Sequence, residues 1–332
     1  MTAIFLKKLL LLVLAVISCL AAIFFSPIAF AHPLASIINK KEILRDSKKN
    51  HRPRMIFVGG SGALVGIDGT LVEKNLPYYP VNMGINAGFS THFLLDLIKS
   101  DIKAGDVIVL TPEISALASY SYKSDKPNRK WCFAVNRDYA LKNLYKLPAQ
   151  FPDLTLDLLG LCQWKALGLV QAALLRRAPF KKGYLQFDQQ INRFGDAREN
   201  FFKPISIDMI RKIDVLWPSS NRIDTSFITD FNDFTSFVTS KGATLYFVFS
   251  PFSKEGYSKN FTKIQEIISL LKKSAKFPII GSQDGFIYDY SCFTNSPYHL
   301  KADCRSDRTV KMVSEIKPYL LNAQTPEGRP VN

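Results

Sequence analysis

Arg54-Met-Ile-Phe-Val-Gly-Gly-Ser61-Gly-Ala63 is an apolar run of strand length that breaks into glycines and presents one serine. Working outward, the runs at 81–85, 106–110 (DVIVL), 244–249 (TLYFVF) and 278–280 repeat the strand signal. Helical periodicity occupies 63–74, 91–100, 226–240, 264–273 and 308–321. Strands alternating with helices predict an α/β fold built on a parallel sheet, and the unbroken apolar DVIVL suits a strand covered on both faces. A serine just past the first strand then lies at the carboxyl edge of that sheet, where open α/β folds place their sites. Far downstream, Asn295-Ser-Pro-Tyr-His299-Leu supplies a histidine just before the closing helix. Ser61 and His299 together suggest a nucleophile and its base.

The 332 residues are 47% apolar with charge well mixed along the chain, which excludes disorder and fits one large domain carrying an insertion. The formal charge of +15 is uneven. Residues 40–54 and 121–149 each hold seven Lys/Arg against two acids, and Arg176, Arg177, Lys181 and Lys182 form a third cluster. No helix-turn-helix, zinc or RNA-binding pattern accompanies these cations, so nucleic acid is not an expected partner. Anionic lipid headgroups or an anionic polymer fit better.

The first residues read MTAIFLKK, followed by an apolar run and Ala29-Phe-Ala31 before His32. This is the pattern of a signal peptide over 1–31, with an uncleaved N-terminal anchor as the alternative. Cleavage is the favoured reading, because the basic stretch that follows sits awkwardly with the positive-inside rule. The chain is therefore expected outside the cytoplasm, in the periplasm or on the outer face of the cytoplasmic membrane. Four cysteines remain beyond the segment: Cys132, Cys162, Cys292 and Cys304. Local pairing gives Cys132–Cys162 and Cys292–Cys304, the second clamping the loop of His299; four buried thiols are the alternative. No cysteine spacing indicates a metal.

Residues 32–53 read as a basic, poorly packed leader, 54–322 as the main domain and 323–332 as a tail. About 115 residues separate the third and fourth strands, too many for a simple crossover, so a helical insertion is expected at about 114–225. Within it, 154–177 is strongly apolar but holds Asp157, Gln163 and Lys165. It reads as a helical hairpin or amphipathic helix packed on the sheet domain, with membrane-surface contact as the alternative.

A serine hydroxyl needs an imidazole to take its proton and oxyanion donors across the carbonyl. Glycines around Ser61 allow a sharp turn that points hydroxyl and N–H into one cavity. Without such a partner, Ser61 would be a capping serine in a tight turn, and His299 a satisfied histidine.

With both halves in place, residues 54–111 and 226–322 resemble the SGNH (GDSL-like) hydrolase superfamily. The resemblance rests on Phe57-Val-Gly-Gly-Ser61, on Val81-Asn-Met-Gly84-Ile-Asn-Ala-Gly88, and on Tyr298-His299-Leu. It implies a three-layer α/β/α flavodoxin-like fold with a large helical insertion between strands three and four. Ser61 would be the nucleophile and His299 the base, with the oxyanion held by Ser61 N–H and by Gly88, or Gly84 as second choice. The Tyr-His-Leu ending, the export segment and Thr111-Pro-Glu113 are similar to exported proteins of polysaccharide O-acylation, of the alginate O-acetylation and D-alanyl transfer type. The resemblance implies a surface polysaccharide or glycan substrate, a membrane acyltransferase partner, and no cofactor or metal.

Two positions depart from that pattern. Asn295 stands where the acidic triad member is expected, with Asp289 as a more distant substitute. Pro112-Glu113 replaces the oxyanion asparagine after strand three, and Glu113 would orient a base, bind substrate or form a salt bridge. The alternative function is therefore a catalytically degenerate domain that binds a glycan or acts as an assembly factor.

Overall fold

A computed structural model describes residues 2–25, 32–85, 88–118, 120, 128–145, 148–174, 190–199, 201–213 and 223–322. Its contacts divide the chain into two compact units, Met1–Asn39 with Asn128–Gln189, and Lys40–Pro127 with Gln190–Asn332.

The larger unit is α/β. Strands β1 (Arg54–Val58), β2 (Tyr79–Asn82), β3 (Val107–Leu110), β4 (Thr244–Val248) and β6 (Ile279–Ile280) form one sheet in the order β2-β1-β3-β4-β6. All its pairings are parallel, with Met55 opposite Pro80 on one side and Val107 on the other. The β1 and β3 side chains are buried on both faces, as their unbroken apolar sequence predicts. Building outward from β1 to β2 and then returning to β3 leaves a crevice at the carboxyl ends of β1 and β3.

Helices α3 (Ser61–Gly66) and α4 (Gly69–Asn75) follow β1, α5 (Thr91–Lys99) follows β2, and α6 (Ile114–Ala118) follows β3. The helix expected over 63–74 is split in two because Asp68 accepts from the Thr70 and Leu71 N–H groups and starts a new helix. Further on come α10 (Ile207–Ile213), α11 (Ser226–Ser240), α12 (Lys254–Lys259), α13 (Phe261–Ser274) and α14 (Ala302–Asn322), with a short parallel pair of β5 (Phe252–Ser253) and β7 (Ile287–Tyr288). Helix α14 packs on α3, α4 and β6, and α11 packs on β4.

Arg308 of α14 is fully buried under the carboxyl ends of the strands. It donates to Gly66 O at 2.7 Å, Thr111 Oγ1 at 2.8 Å and Phe249 O at 3.3 Å, and burial pulls its pKa down to about 10. Arg308→Met strands those acceptors in a dry interior. The expected loss is about 3 kcal/mol or more, read from the midpoint of chemical denaturation. An unchanged midpoint would show that solvent reaches the acceptors.

The poorly packed leader expected at 32–53 is not observed. Residues His32–Asp46 form α2, and in its second half Leu44 is buried and Lys40 Nζ donates to Asn82 O at 2.8 Å and to Gly195 O. Arg54 meets Asp106 at 3.0 Å as a buried ion pair, while Lys48, Lys49 and Arg52 pair with Asp101, Asp46 and Glu73. Of the cations that look like a surface cluster in sequence, Arg54 is thus buried at the amino ends of β1 and β3 and Lys40 at the carboxyl end of β2.

The smaller unit is helical: α1 (Thr2–Phe25), α7 (Arg129–Val135), α8 (Arg137–Tyr139) leading into a π-turn at Ala140–Leu144, and α9 (Phe151–Leu174). Arg129 joins α7 to α9 through Asp153 and Asp157, each at 3.0 Å. Of the insertion expected at about 114–225, α6 and the described residues 190–199, 201–213 and 223–225 group with the sheet unit. The apolar segment 154–177 is one helix up to Leu174, not a hairpin, and Arg176, Arg177, Lys181 and Lys182 lie outside the described residues.

One expected disulfide forms, Cys292–Cys304. Cys132 and Cys162 are instead separate buried thiols on α7 and α9, so the Cys132–Cys162 pairing is not realised. The apolar α1 fits a signal sequence or anchor, and the disulfide fits an oxidising compartment.

Candidate active site

The chain leaves β1 through Gly59 and Gly60 and enters α3 at Ser61. These glycines are required for space rather than for an unusual turn. A Cβ on Gly59 would lie 2.4 Å from Thr111 O, and one on Gly60 would lie 2.9 Å from Glu113 Oε1, while Gly60 has an ordinary φ of −76°. The β1 turn and the β3 end are thereby pressed together at the crevice. Gly60, not Ser61, holds the capping position of α3, and it is the Glu113 carboxyl that accepts a first-turn N–H, that of Gly62.

Ser61 Oγ is consequently free of its own helix and lies 2.8 Å from His299 Nε2. His299 Nδ1 lies 2.6 Å from Asn295 Oδ1. With an amide oxygen at Nδ1, that nitrogen carries the proton and Nε2 offers its lone pair to the serine hydroxyl. Burial lowers the His299 pKa to about 4, so the ring is neutral and ready to accept a proton at neutral pH. The structure brings Ser61, His299 and Asn295 into one chain of contacts across 238 residues of sequence.

Several features fix the imidazole. Thr294 Oγ1 donates to His299 O at 3.1 Å, and Phe293 and Leu300 form an antiparallel bridge. Cys292–Cys304 closes the same loop, so the bond brackets both Asn295 and His299. Phe202 lies flat on the ring, 4.3 Å between centroids and 2° from parallel. Phe202 is placed by the preceding segment, where Asp196 accepts from Gly69 N–H at 2.7 Å, Asn82 Nδ2 at 2.9 Å and Asn192 Nδ2 at 2.9 Å. Neither Phe202 nor that network carries a local sequence signal.

Glu113 sits at the end of β3 with Oε1 accepting from Gly62 N–H at 2.8 Å and 3.2 Å from Ser61 Oγ. It is almost fully buried. Burial raises its pKa, outweighing the Gly62 and Ser61 hydrogen bonds that favour the ionised form. No cation joins it in a salt bridge among the described residues. Its carboxyl therefore faces the nucleophile across the first turn of α3.

The remaining expectations are placed differently. Gly84 N–H donates to Asn82 Oδ1 at 2.8 Å, and a Cβ there would lie 2.3 Å from Leu64 N. Gly84 thus lets the β2 loop approach α3, and its N–H is already taken. Gly88 lies in the turn before α5. Asp289 precedes the 290–292 turn, and it is Asn295 that occupies the His299 Nδ1 position.

Phe202, Thr294 and Leu300 also wall a cavity of about 230 Å³ that neither Ser61 nor His299 lines, and it carries Arg198, Lys301 and Arg305 against one acid, Glu199. Among the described residues none of the three cations is paired with a carboxylate. One Arg305 nitrogen donates to Ala197 O at 2.6 Å, while its Nε is buried without a partner among the described residues. The amino end of α14 opens at Ala302 in the same wall. Positive side chains and a helix amino end together favour an anion. The volume is below the roughly 300 Å³ typical of clefts for larger ligands, so the cavity suits a single group of a longer substrate. Among the described residues there is no cluster of three or more metal-ligating side chains. The chain matches no known protein-family model and no curated protein.

Proposed function

We propose that the protein is an exported serine esterase or O-acyltransferase of SGNH-like type, acting on acyl groups of a cell-surface polysaccharide or envelope glycan. The observation that carries this reading is the Ser61 Oγ–His299 Nε2–Asn295 Oδ1 contact chain at the carboxyl edge of a parallel sheet. The strand order, with the crevice between β1 and β3, fits a flavodoxin-like arrangement.

His299 Nε2 takes the Ser61 proton as Oγ attacks the acyl carbonyl. Ser61 N–H, first in α3 and without an intrahelical acceptor, helps hold the oxyanion. When protonated, as its raised pKa favours, Glu113 would donate a second hydrogen bond, and Gly88 N–H is a third donor by resemblance. Collapse of the intermediate breaks the bond to the leaving alkoxide, which leaves with the proton from His299. Water or a sugar hydroxyl, deprotonated by the same nitrogen, then attacks the acyl-serine and restores Ser61. The cationic cavity walled by Phe202 would seat an anionic group of the glycan, and a membrane acyltransferase would deliver the acyl group.

A fluorophosphonate probe tests this directly. Purified protein is expected to take up one equivalent at Ser61 by peptide mass mapping, and none after Ser61→Ala. In cells, acyl groups on the surface polymer should depend on Ser61 as strongly as on the whole chain. Full restoration of acylation by the Ser61→Ala chain, with no labelling in vitro, would favour a degenerate domain that binds a glycan or partner without turnover.

A further inference from the structure

Two observations in the helical unit concern parts of the chain that the chemistry above does not use. The carboxyl end of α1 is built into the unit. Lys165 Nζ of α9 donates to Phe24 O at 2.5 Å, Phe24 packs on Phe133 at 6.1 Å, and the Arg137 guanidinium lies over the Phe24 and Phe25 rings at 5.4 and 5.1 Å. A segment destined for removal would take with it the carbonyl that holds Lys165 and the rings that cover Arg137. The rest of α1 is exposed and, apart from Lys7 and Lys8 near its start, almost wholly apolar. Its Ile4–Phe25 stretch of 22 residues has the length and composition to cross a membrane. At 1.5 Å per residue that stretch is about 33 Å, enough for a hydrocarbon layer of about 30 Å.

The second observation is on α9. Leu156, Leu159, Trp164, Leu167, Val170 and Leu174 are each at least 45% exposed. At about 100° per residue they fall within roughly 140° of the helix circumference, an apolar face that the exposed Gln163 interrupts. Leu161 and Cys162, buried, turn the other way. A soluble helix carries its apolar stripe inward, so a stripe of this length facing outward requires another apolar phase.

We propose that this unit is a membrane module in which α1 is retained as a transmembrane anchor and the α9 stripe lies in the same phospholipid bilayer. The occupant follows from continuity, because α9 packs directly on α1, whose own exposed apolar surface suits lipid. The aromatic and cationic edge agrees. Trp164 meets Trp131 edge-on at 6.1 Å, and Lys130 Nζ stands 5.0 and 5.9 Å from the two rings. Tryptophan beside lysine marks the water–lipid boundary of membrane proteins. A second copy of the chain covering α9 would leave the adjoining α1 without its lipid.

The test uses the full chain extracted from membranes. Its intact mass is expected to include the 1–31 segment; a mass beginning at His32 overturns the retained anchor. Tryptophan is then moved, in chains carrying Trp131→Phe, Trp164→Phe and Trp217→Phe, to Leu156 or to Leu174, about 27 Å apart along the helix. In vesicles of phosphatidylethanolamine and phosphatidylglycerol, brominated acyl chains are expected to quench each probe at least twofold relative to unbrominated lipid. Lys272→Trp in the same background, on the other unit, should stay unquenched. Loss of quenching at either α9 position overturns the lipid-facing stripe, and a stable dimer with unquenched probes assigns it to a second copy instead.

Discussion

Ser61→Ala is expected to lower turnover of an activated acetyl ester by at least about 10³-fold while leaving the fold nearly untouched. The hydroxyl makes no contribution to capping α3, since Gly60 holds the capping position without a side-chain bond. Its contacts are His299 Nε2 at 2.8 Å and Glu113 Oε1 at 3.2 Å. Removing it forfeits about one net hydrogen bond, roughly 0.5–1.5 kcal/mol of stability. A capping or packing serine predicts the reverse pattern, a stability loss with turnover unchanged. His299→Ala should match the serine variant, and the double variant should be no worse than either, because a nucleophile and its base act as a unit. Steady-state rates and thermal melts on the three chains decide the matter. Turnover within tenfold of the parent in Ser61→Ala would remove the covalent mechanism.

How much of this was legible in the sequence depends on whether the signal is local. The strands β1, β3 and β4 announce themselves as short apolar runs closed by polar or glycine residues, and helices of the right length separate them. Ser61 and His299 were legible for the same reason, each sitting where a periodic segment breaks. The segment 32–53 was misread because its composition is that of a solvated leader, and only tertiary partners such as Asp106 and the Asn82 carbonyl turn Arg54 and Lys40 inward. Arg308 and Asp196 escaped notice for a related reason. Their partners lie 242 and 114 residues away, and one more arginine or aspartate in a charged chain carries no pattern. The glycines before Ser61 were legible as a motif, but their cause was not. They answer to the Thr111 carbonyl and the Glu113 carboxyl, which only the packing of β3 against β1 brings near.

Glu113 gives turnover an expected pH dependence. An ionised carboxylate 3.2 Å from the nucleophile would repel the oxyanion that forms there, whereas a neutral carboxyl can donate to it. Burial raises the Glu113 pKa above its ordinary 4.5 and lowers that of His299 to about 4. The working state, neutral acid beside neutral base, therefore begins above about pH 4 and is lost as pH climbs through the raised Glu113 value. Glu113→Ala is expected to reduce kcat about 10²–10³-fold, the usual effect of losing one oxyanion donor. Glu113→Gln should stay within about tenfold of the parent, since an amide still donates, and should lose the alkaline limb of the pH–rate profile. Stability gives an independent reading. An acid whose folded pKa is raised binds more protons folded than unfolded, so the parent loses stability as pH rises from 4.5 through the folded value. Glu113→Gln has no such group. It should equal the parent in acid and exceed it at neutral pH, in denaturation midpoints measured across that range. A Glu113→Gln chain as inactive as Ser61→Ala, with no stability gain at neutral pH, would mean that the carboxylate works ionised.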